Sequence, residues 1–332
     1  MTNMAKALND SAATVKVYHG YGHKDNLIAY GHVFAGKPTT RKKYSNNTIT
    51  NIIHLVKLFF IKPLPGVQIM LQWQNQQLYS TTGADGFFKF EWQSVTAISA
   101  GWHQVEVHLL NVKGLKSAAG EGKIFVPHST QYAFISDIDD TVLISHSATT
   151  RKRLKVLFTK HPRSRKAFAD VVKYYHLLSI AYTEPPVPNP FFYVSSSEWN
   201  LYDDINEFFK HNGLPKGVFL LNEIKRWYQL FKTGKTKHQG KLMRIARILD
   251  AFPKQRFVLL GDNSQSDPEI YAAIANTYPD KIVAIYIRNI SIKKELLTQN
   301  VLASIQNKEI HTCLFSDTNE AILHSKTIGL IV

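Results

Sequence analysis

Up to Pro127 the hydrophobic positions fall in short alternating runs: Val15 to Tyr18, Leu27 to Phe34, Val67 to Trp73, Gln77 to Thr82, Phe87 to Trp92, Trp102 to Leu110 and Gly122 to Val126. Alternation of this kind predicts half-buried strands, and turn residues such as Leu64-Pro65-Gly66 and Gly83-Ala84-Asp85-Gly86 separate them. Seven such strands predict a β-sandwich. The pattern breaks between Arg41 and Lys62, which is basic at first and then apolar from Ile49 to Ile61. A helix packed on the sandwich is the first expectation there, and an amphipathic segment lying on a lipid surface is the second. From Gln131 onward the rhythm becomes strand then helix. Apolar strands are predicted at Tyr132 to Asp137, Phe191 to Ser195, Val218 to Leu221, Arg256 to Asp262 and Lys281 to Arg288. Helices are predicted at Ser164 to Ile180, Leu201 to Asn212, Gly240 to Ala251 and Pro268 to Tyr278, with a further strand at His311 to Ser316 and a helix at Asn319 to Ile328. Such alternation predicts a parallel sheet wrapped by helices on both faces. The expected domains are a tail over 1–13, an all-β sandwich over 14–128 and an α/β domain over 129–332.

The chain of 332 residues is long enough for two domains, and 44% hydrophobic with 12% aromatic residues is a globular composition. A single cysteine, Cys313, excludes an intramolecular disulfide and a cysteine-built zinc site, which predicts a reducing, cytoplasmic setting. The polar stretch Met1 to Ala13 lacks a signal-peptide core, and no apolar run approaches the roughly 18 residues of a spanning helix. The net charge of +15 draws the protein towards polyanions, whether nucleic acid, phospholipid headgroups or phosphorylated substrates, and does not choose among them. Arg151 to Lys166 holds eight cations and no acid. Lys225, Arg226, Trp227, Tyr228, Phe231, Lys232, Lys235 and Lys237 form a mixed basic and aromatic stretch suited to a water-lipid boundary. The first also reads as a solvated helix face, the second as a basic helix with a core-facing aromatic stripe.

Candidate chemistry sits where strands of the second half end. Asp137-Ile138-Asp139-Asp140-Thr141 follows an apolar run, and in extended backbone Asp137 and Asp139 project to one side. Two carboxylates held that close predict a divalent cation between them, although an acidic turn capping a strand fits the same residues. Ser195-Ser196-Ser197 ends a strand and suits either phosphate oxygens or a helix N-cap. Lys241 opens an amphipathic stretch, and Gly261-Asp262 followed by Asp267 places a second pair of carboxylates at a strand end. Ligands of parallel sheets bind beyond the carboxyl ends of strands, where these residues would meet.

In order, Asp-x-Asp-x-Thr, a strand ending in Ser, a Lys, and Gly-Asp-x-x-x-x-Asp resemble the haloacid dehalogenase (HAD) superfamily of phosphatases, from about Gln131 to Asn289. The resemblance implies a HAD-like Rossmannoid sheet with Asp137 as nucleophile, Asp139 as general acid and base, and Ser195 and Lys241 as the phosphoryl clamp. It implies Mg²⁺ on Asp137, Asp139 and Asp262, with Thr141, Ser196 and Asp267 on the substrate side and Asp267 also supporting the metal shell or Lys241. Ser136 to Val142, Phe192 to Ser197 with Trp199, Gly213-Leu214-Pro215-Lys216-Gly217 and Phe257 to Tyr271 resemble, more narrowly, the phosphatidate phosphatase family first described as a yeast actin-patch protein. Tyr18-His19-Gly20-Tyr21-Gly22 and Gly101-Trp102-His103 fit its bacterial members. That resemblance implies Mg²⁺-dependent dephosphorylation of phosphatidate to diacylglycerol at an anionic membrane surface, hence a cytoplasmic protein peripheral on the inner face. No nucleic-acid partner is expected. Glu198 stands where the family has proline, and Gly240 precedes Lys241 where it has histidine. The alternatives are a phosphatase of another phosphomonoester and a non-catalytic lipid-binding protein. The short intervals between Asp137, Ser195 and Lys241 leave little room for a closing cap, which favours a large or interfacial substrate.

Overall fold

The computed structural model describes residues 13–36, 44–111, 113–128, 132–144, 160–183, 187–224 and 237–332. The basic residues 41–43, most of the 151–166 run and the basic-aromatic stretch 225–236 lie outside the described residues. The chain forms two compact units, one of Met1–Lys42, Val56–His128 and Ile224–Leu230, the other of Lys43–Leu55, Ser129–Glu223 and Phe231–Val332.

The first unit holds strands β1 (Ala13–Val17), β2 (Gly20–His23), β3 (Asn26–Ala35), β4 (Gln68–Trp73), β5 (Gln76–Thr81), β6 (Phe87–Trp92), β7 (Gly101–Leu110) and β8 (Lys116–Val126). They pair in the order β1-β3-β2-β8-β7-β4-β5, with β6 on β3. The seven expected strands are present, but they are joined into one hydrogen-bonded path because the additional strand β2 pairs in parallel with β8 through Gly20 and Tyr21. Glycine permits that crossing. A Cβ on Gly20 would stand 2.2 Å from the Ile28 carbonyl oxygen, and one on Gly22 would stand 2.1 Å from that of Asn26. The path curls so that Val15, Leu27, Ile69, Phe88, Val107 and Ile124 share one core, and Trp73 of β4 meets Trp92 of β6 edge-on at 5.7 Å.

The second unit is a six-stranded sheet in the order β11-β10-β9-β12-β13-β14, parallel throughout. Its strands are β9 (Tyr132–Ser136), β10 (Phe191–Glu198), β11 (Val218–Asn222), β12 (Arg256–Asp262), β13 (Ile282–Arg288) and β14 (His311–Phe315). Helix α1 (Thr48–Phe59) forms within the expected apolar segment, its residues to Leu55 assigned to the second unit and those from Val56 to the first. It buries Asn51, Leu55, Leu58 and Phe59 and leaves Ile49, Ile52 and Ile53 exposed. The remaining helices are α2 (Val171–Ser179), α3 (Tyr202–His211), α4 (Lys237–Ala251), α5 (Asp267–Thr277), α6 (Glu295–Ala303) and α7 (Thr318–Thr327). Helices α4, α5 and α6 neighbour one another along the sheet, whereas α2 packs with α7, joined by a 2.8 Å hydrogen bond between the Tyr174 and Ser325 hydroxyls. The two central strands, β9 and β12, carry Phe134, Ile135, Val258 and Leu259 with essentially no exposure, as a strand covered on both faces requires. Helix α2 starts at Val171 rather than Ser164: Asp170 sits in the left-handed region (φ 56°), and Leu143 forms a bridge with Ala167 upstream of it.

Candidate active site

Parallel register brings the strand ends together. Ser136 pairs with Tyr193 on one side and Leu260 on the other, so Asp137, Ser195 and Asp262 emerge at one edge of the sheet. The chain leaves β9 at Ser136, fixed by the Asp137 amide on the Leu260 carbonyl (2.8 Å) and by the Ser136 hydroxyl on the Asp137 carbonyl (2.6 Å) and the Tyr175 hydroxyl (2.7 Å). It then turns at once. The Val142 and Leu143 amides both donate to the Ile138 carbonyl, and Asp140 takes φ 62°.

That turn alters the expected pairing. Asp137 and Asp139 lie beyond the strand, so extended alternation no longer sets their directions. Asp137 Oδ1 accepts from Lys241 Nζ at 2.6 Å, and the same ammonium donates to Asp267 Oδ1 at 2.5 Å. Among the described residues, Asp137, Asp262 and Asp267 offer carboxylate oxygens that all lie within 4.8 Å of one another, and all three side chains are buried. Asp139 stands outside that group. Its Oδ2 accepts from the hydroxyls of Ser195 (3.1 Å) and Ser197 (2.9 Å). Thr141 Oγ1 lies 3.5 Å from Asp137 Oδ2 and 3.4 Å from Asp262 Oδ2, tying the two strand ends together. Of the expected metal residues 137, 139 and 262, the structure brings 137 and 262 together with 267, and turns the 139 side chain to the serines.

Local sequence explains how the second pair gets there. Asp267 opens α5, and its Oδ2 accepts from the Asp262 amide at 3.3 Å, while the Ser264 amide donates to Asp262 Oδ1 at 2.6 Å. Gly261 makes room: a Cβ there would lie 2.5 Å from Asp267 Oδ2 and 2.8 Å from Tyr271 Cε2. Lys241 reaches inward from α4, fully buried and also 5.9 Å from the centre of the Tyr271 ring.

Electrostatics follow from burial. Desolvation raises Asp137 well above the usual carboxylate range, Lys241 opposes the rise, and Asp267, Asp262 and Asp139 add to it. Burial, then the Asp267 charge, pushes Asp262 up to about 7, against the pull of Ser264 and Lys241. Burial works against the Lys241 ammonium, but Asp137 and Asp267 outweigh it and hold it charged. Three carboxylates facing one ammonium carry an excess of negative charge that protons relieve in the absence of anything else. Hard oxygen donors at that spacing with that deficit suit a divalent cation.

Three residues were not singled out from sequence. Ser197 joins Ser195 on Asp139 where β10 pairs irregularly between Val194 and Glu198, its amide donating to the Ser195 hydroxyl at 2.9 Å; Ser196 is partly exposed. Arg244, one turn beyond Lys241 in α4, donates from Nη2 to the Ser195 carbonyl at 3.3 Å, and burial lowers it to about 10. Arg288 donates from Nε to the Thr141 carbonyl at 3.3 Å and lies between the rings of Phe168 and Phe315. The serine run itself signals the first; no sequence signal marks the other two.

Residues 132–289 match the family model described as the phosphatidate phosphatase APP1 catalytic domain. The chain is 32% identical over 157 residues to phosphatidate phosphatase APP1 of Saccharomyces cerevisiae, covering 46% of this chain and 25% of that protein. It is 23% identical over 181 residues to an uncharacterized protein of Schizosaccharomyces pombe, covering 52% and 28% respectively. The chain therefore spans about a quarter of the length of the curated relatives it matches. A solved structure described as a haloacid dehalogenase-like hydrolase, from Burkholderia xenovorans, superposes with a TM-score of 0.29 at 11% identity over 61% of this chain and 99% of that one, too loosely to carry an argument.

Proposed function

We propose that this chain, whose residues 132–289 match the model of the APP1-type phosphatidate phosphatase catalytic domain, is a Mg²⁺-dependent phosphomonoester hydrolase that converts phosphatidate to diacylglycerol and phosphate. The observation that carries the reading is the Asp137 carboxylate held 2.6 Å from Lys241 within the buried group it forms with Asp262 and Asp267.

Hydrolysis of a phosphomonoester is slow because negative charge must meet negative charge, so catalysis is mainly positioning and neutralisation. Asp137 supplies the attacking oxygen. As its bond to phosphorus forms, the bond to the ester oxygen breaks, and Asp139 delivers a proton to the departing alkoxide. Asp139 then takes a proton from water as that water attacks the aspartyl phosphate, which returns Asp137 to its free carboxylate and releases phosphate. Ser195 and Ser197 grip Asp139 Oδ2, fixing the direction in which its proton travels. Lys241 bridges Asp137 and Asp267 and keeps positive charge beside the oxygens of the phosphoryl group. Mg²⁺, where bound, would be held by Asp137, Asp262 and Asp267 and would supply the remaining neutralisation.

Phosphate release from phosphatidate in vesicles, from a dispersed soluble phosphomonoester, and with or without Mg²⁺ tests the reading. Phosphatidate turnover should depend on Mg²⁺, exceed soluble-ester turnover and vanish in Asp137→Asn. Faster hydrolysis of the soluble ester would reject the lipid assignment, and an active Asn variant would reject the nucleophile.

A further inference from the structure

Beyond Arg288 the chain leaves the carboxyl end of β13 and forms an apolar ridge at the edge of the sheet where the site lies. Ile292 is 80% exposed, Leu296 70% and Leu297 54%. The fold does not use this face: α6 buries Thr298 and Leu302 instead. Three large apolar side chains within six residues are thus exposed to water.

The ridge is fastened to the site. Asn263 Oδ1 accepts from the amides of Ile290 and Ser291, both at 2.8 Å, and its Nδ2 donates to the Asn289 side chain at 2.7 Å and the Ser291 carbonyl at 3.1 Å. Lys294 Nζ donates to the carbonyls of Ser264 (2.8 Å) and Gln265 (3.1 Å). Residues 263–265 are the loop that follows Asp262, and the Ser264 amide itself donates to Asp262 Oδ1. One hydrogen-bonded unit thus carries the apolar ridge and a carboxylate of the site.

We propose that Ile292, Leu296 and Leu297 form a lipid-docking ridge that seats the site on an anionic bilayer. The inference rests on the proposed lipid-phosphate substrate, whose headgroup must reach Asp137 while its acyl chains stay in the membrane. Charge complements the apolar contact: Lys293 is exposed beside Ile292, Lys294 stands next to it, Glu295 is the acid of the ridge, and the chain as a whole carries +15. Aliphatic side chains enter the headgroup boundary while an adjacent lysine meets anionic lipid, and neither group need move far because the loop under them is already braced.

Sedimentation of the full chain with phosphatidylcholine vesicles containing phosphatidylserine, which is not a phosphomonoester, reads docking without turnover. Ile292→Ser/Leu296→Ser should lower vesicle affinity on the order of tenfold or more and slow hydrolysis of vesicle phosphatidate, while soluble-ester turnover stays at the wild-type level. Leu323→Ser, removing an exposed leucine on α7, should change neither. Leu296→Trp should gain quenching by brominated acyl chains when vesicles are added. Asp137→Asn should bind vesicles like wild type, which separates this inference from the catalytic reading: an active Asn variant sinks that reading alone. Equal sedimentation of wild type and the double serine variant, no quenching of the tryptophan variant, or a dimer in solution that the double variant dissociates would each overturn the ridge.

Discussion

Stripping divalent cations from the protein and raising the pH from about 5 to about 8 should weaken the fold, because buried carboxyls must then ionise without a counter-charge. Asp262 sets the scale. Its carboxyl rises from 3.8 to about 7, chiefly through burial and then through the Asp267 charge. An acid whose folded value lies above its unfolded one imposes no cost below the lower value and its full cost above the higher one, so stability is lost as pH climbs from about 4 through about 7. A displacement of that size corresponds to at most about 5 kcal/mol, since each pH unit of displacement is worth about 1.4 kcal/mol. Saturating Mg²⁺ should flatten or reverse the profile by replacing the proton with a cation that favours the ionised carboxylates. Urea unfolding followed across that pH range, chelated and Mg²⁺-loaded in parallel, measures the difference. Asp262→Asn should flatten the chelated profile, because its amide never ionises. A chelated protein most stable near pH 8, or an Asn variant with the wild-type profile, would refute the reasoning.

Three further outcomes follow from the same geometry. Lys241→Met leaves Asp137 and Asp267 without the ammonium that stands 2.6 and 2.5 Å away; chelated protein should lose about 3–5 kcal/mol in denaturant unfolding, and Mg²⁺ should restore part of it. Gly261→Ala would drive a Cβ to 2.5 Å from Asp267 Oδ2, costing about 1–3 kcal/mol by thermal unfolding and raising the Mg²⁺ concentration needed for half-maximal turnover. Ser197→Ala removes one of the two hydroxyls on Asp139 and should lower kcat on the order of tenfold with KM little changed, read from steady-state kinetics on phosphatidate.

Much of the fold was legible because parallel strands covered on both faces must be apolar without interruption, and Phe191 to Val194 and Val258 to Leu260 are so. The parts that were not legible lack that pressure. Strand β2 reads Gly-Tyr-Gly-His, a turn by composition, yet its glycines are there because the Ile28 and Asn26 carbonyls come within van der Waals reach of where a Cβ would be. Helix α6 buries two of its residues and exposes Leu296 and Leu297, so no apolar stripe facing a core announces it. Its hydrophobic residues point the other way.

For the site, residue identity was legible and direction was not. Alternation predicted that Asp137 and Asp139 share a face, but β9 ends one residue before Asp137, and a turn with Asp140 at positive φ sends the two carboxylates to different partners. In the serine triplet β10 pairs irregularly between Val194 and Glu198, and Ser195 and Ser197 still meet on Asp139, the Ser197 amide donating to the Ser195 hydroxyl. The departure at Gly240 has a similar explanation. Glycine inside α4 costs about 1 kcal/mol relative to alanine, and the nearest atom to the Cβ it lacks is Arg244 Nη1 at 3.4 Å. A histidine at 240 would have to share that space with a guanidinium that also holds the Ser195 carbonyl. The two positions lie one turn apart on the helix that carries Lys241, and the arginine at 244 holds the carbonyl of Ser195, whose hydroxyl in turn donates to Asp139.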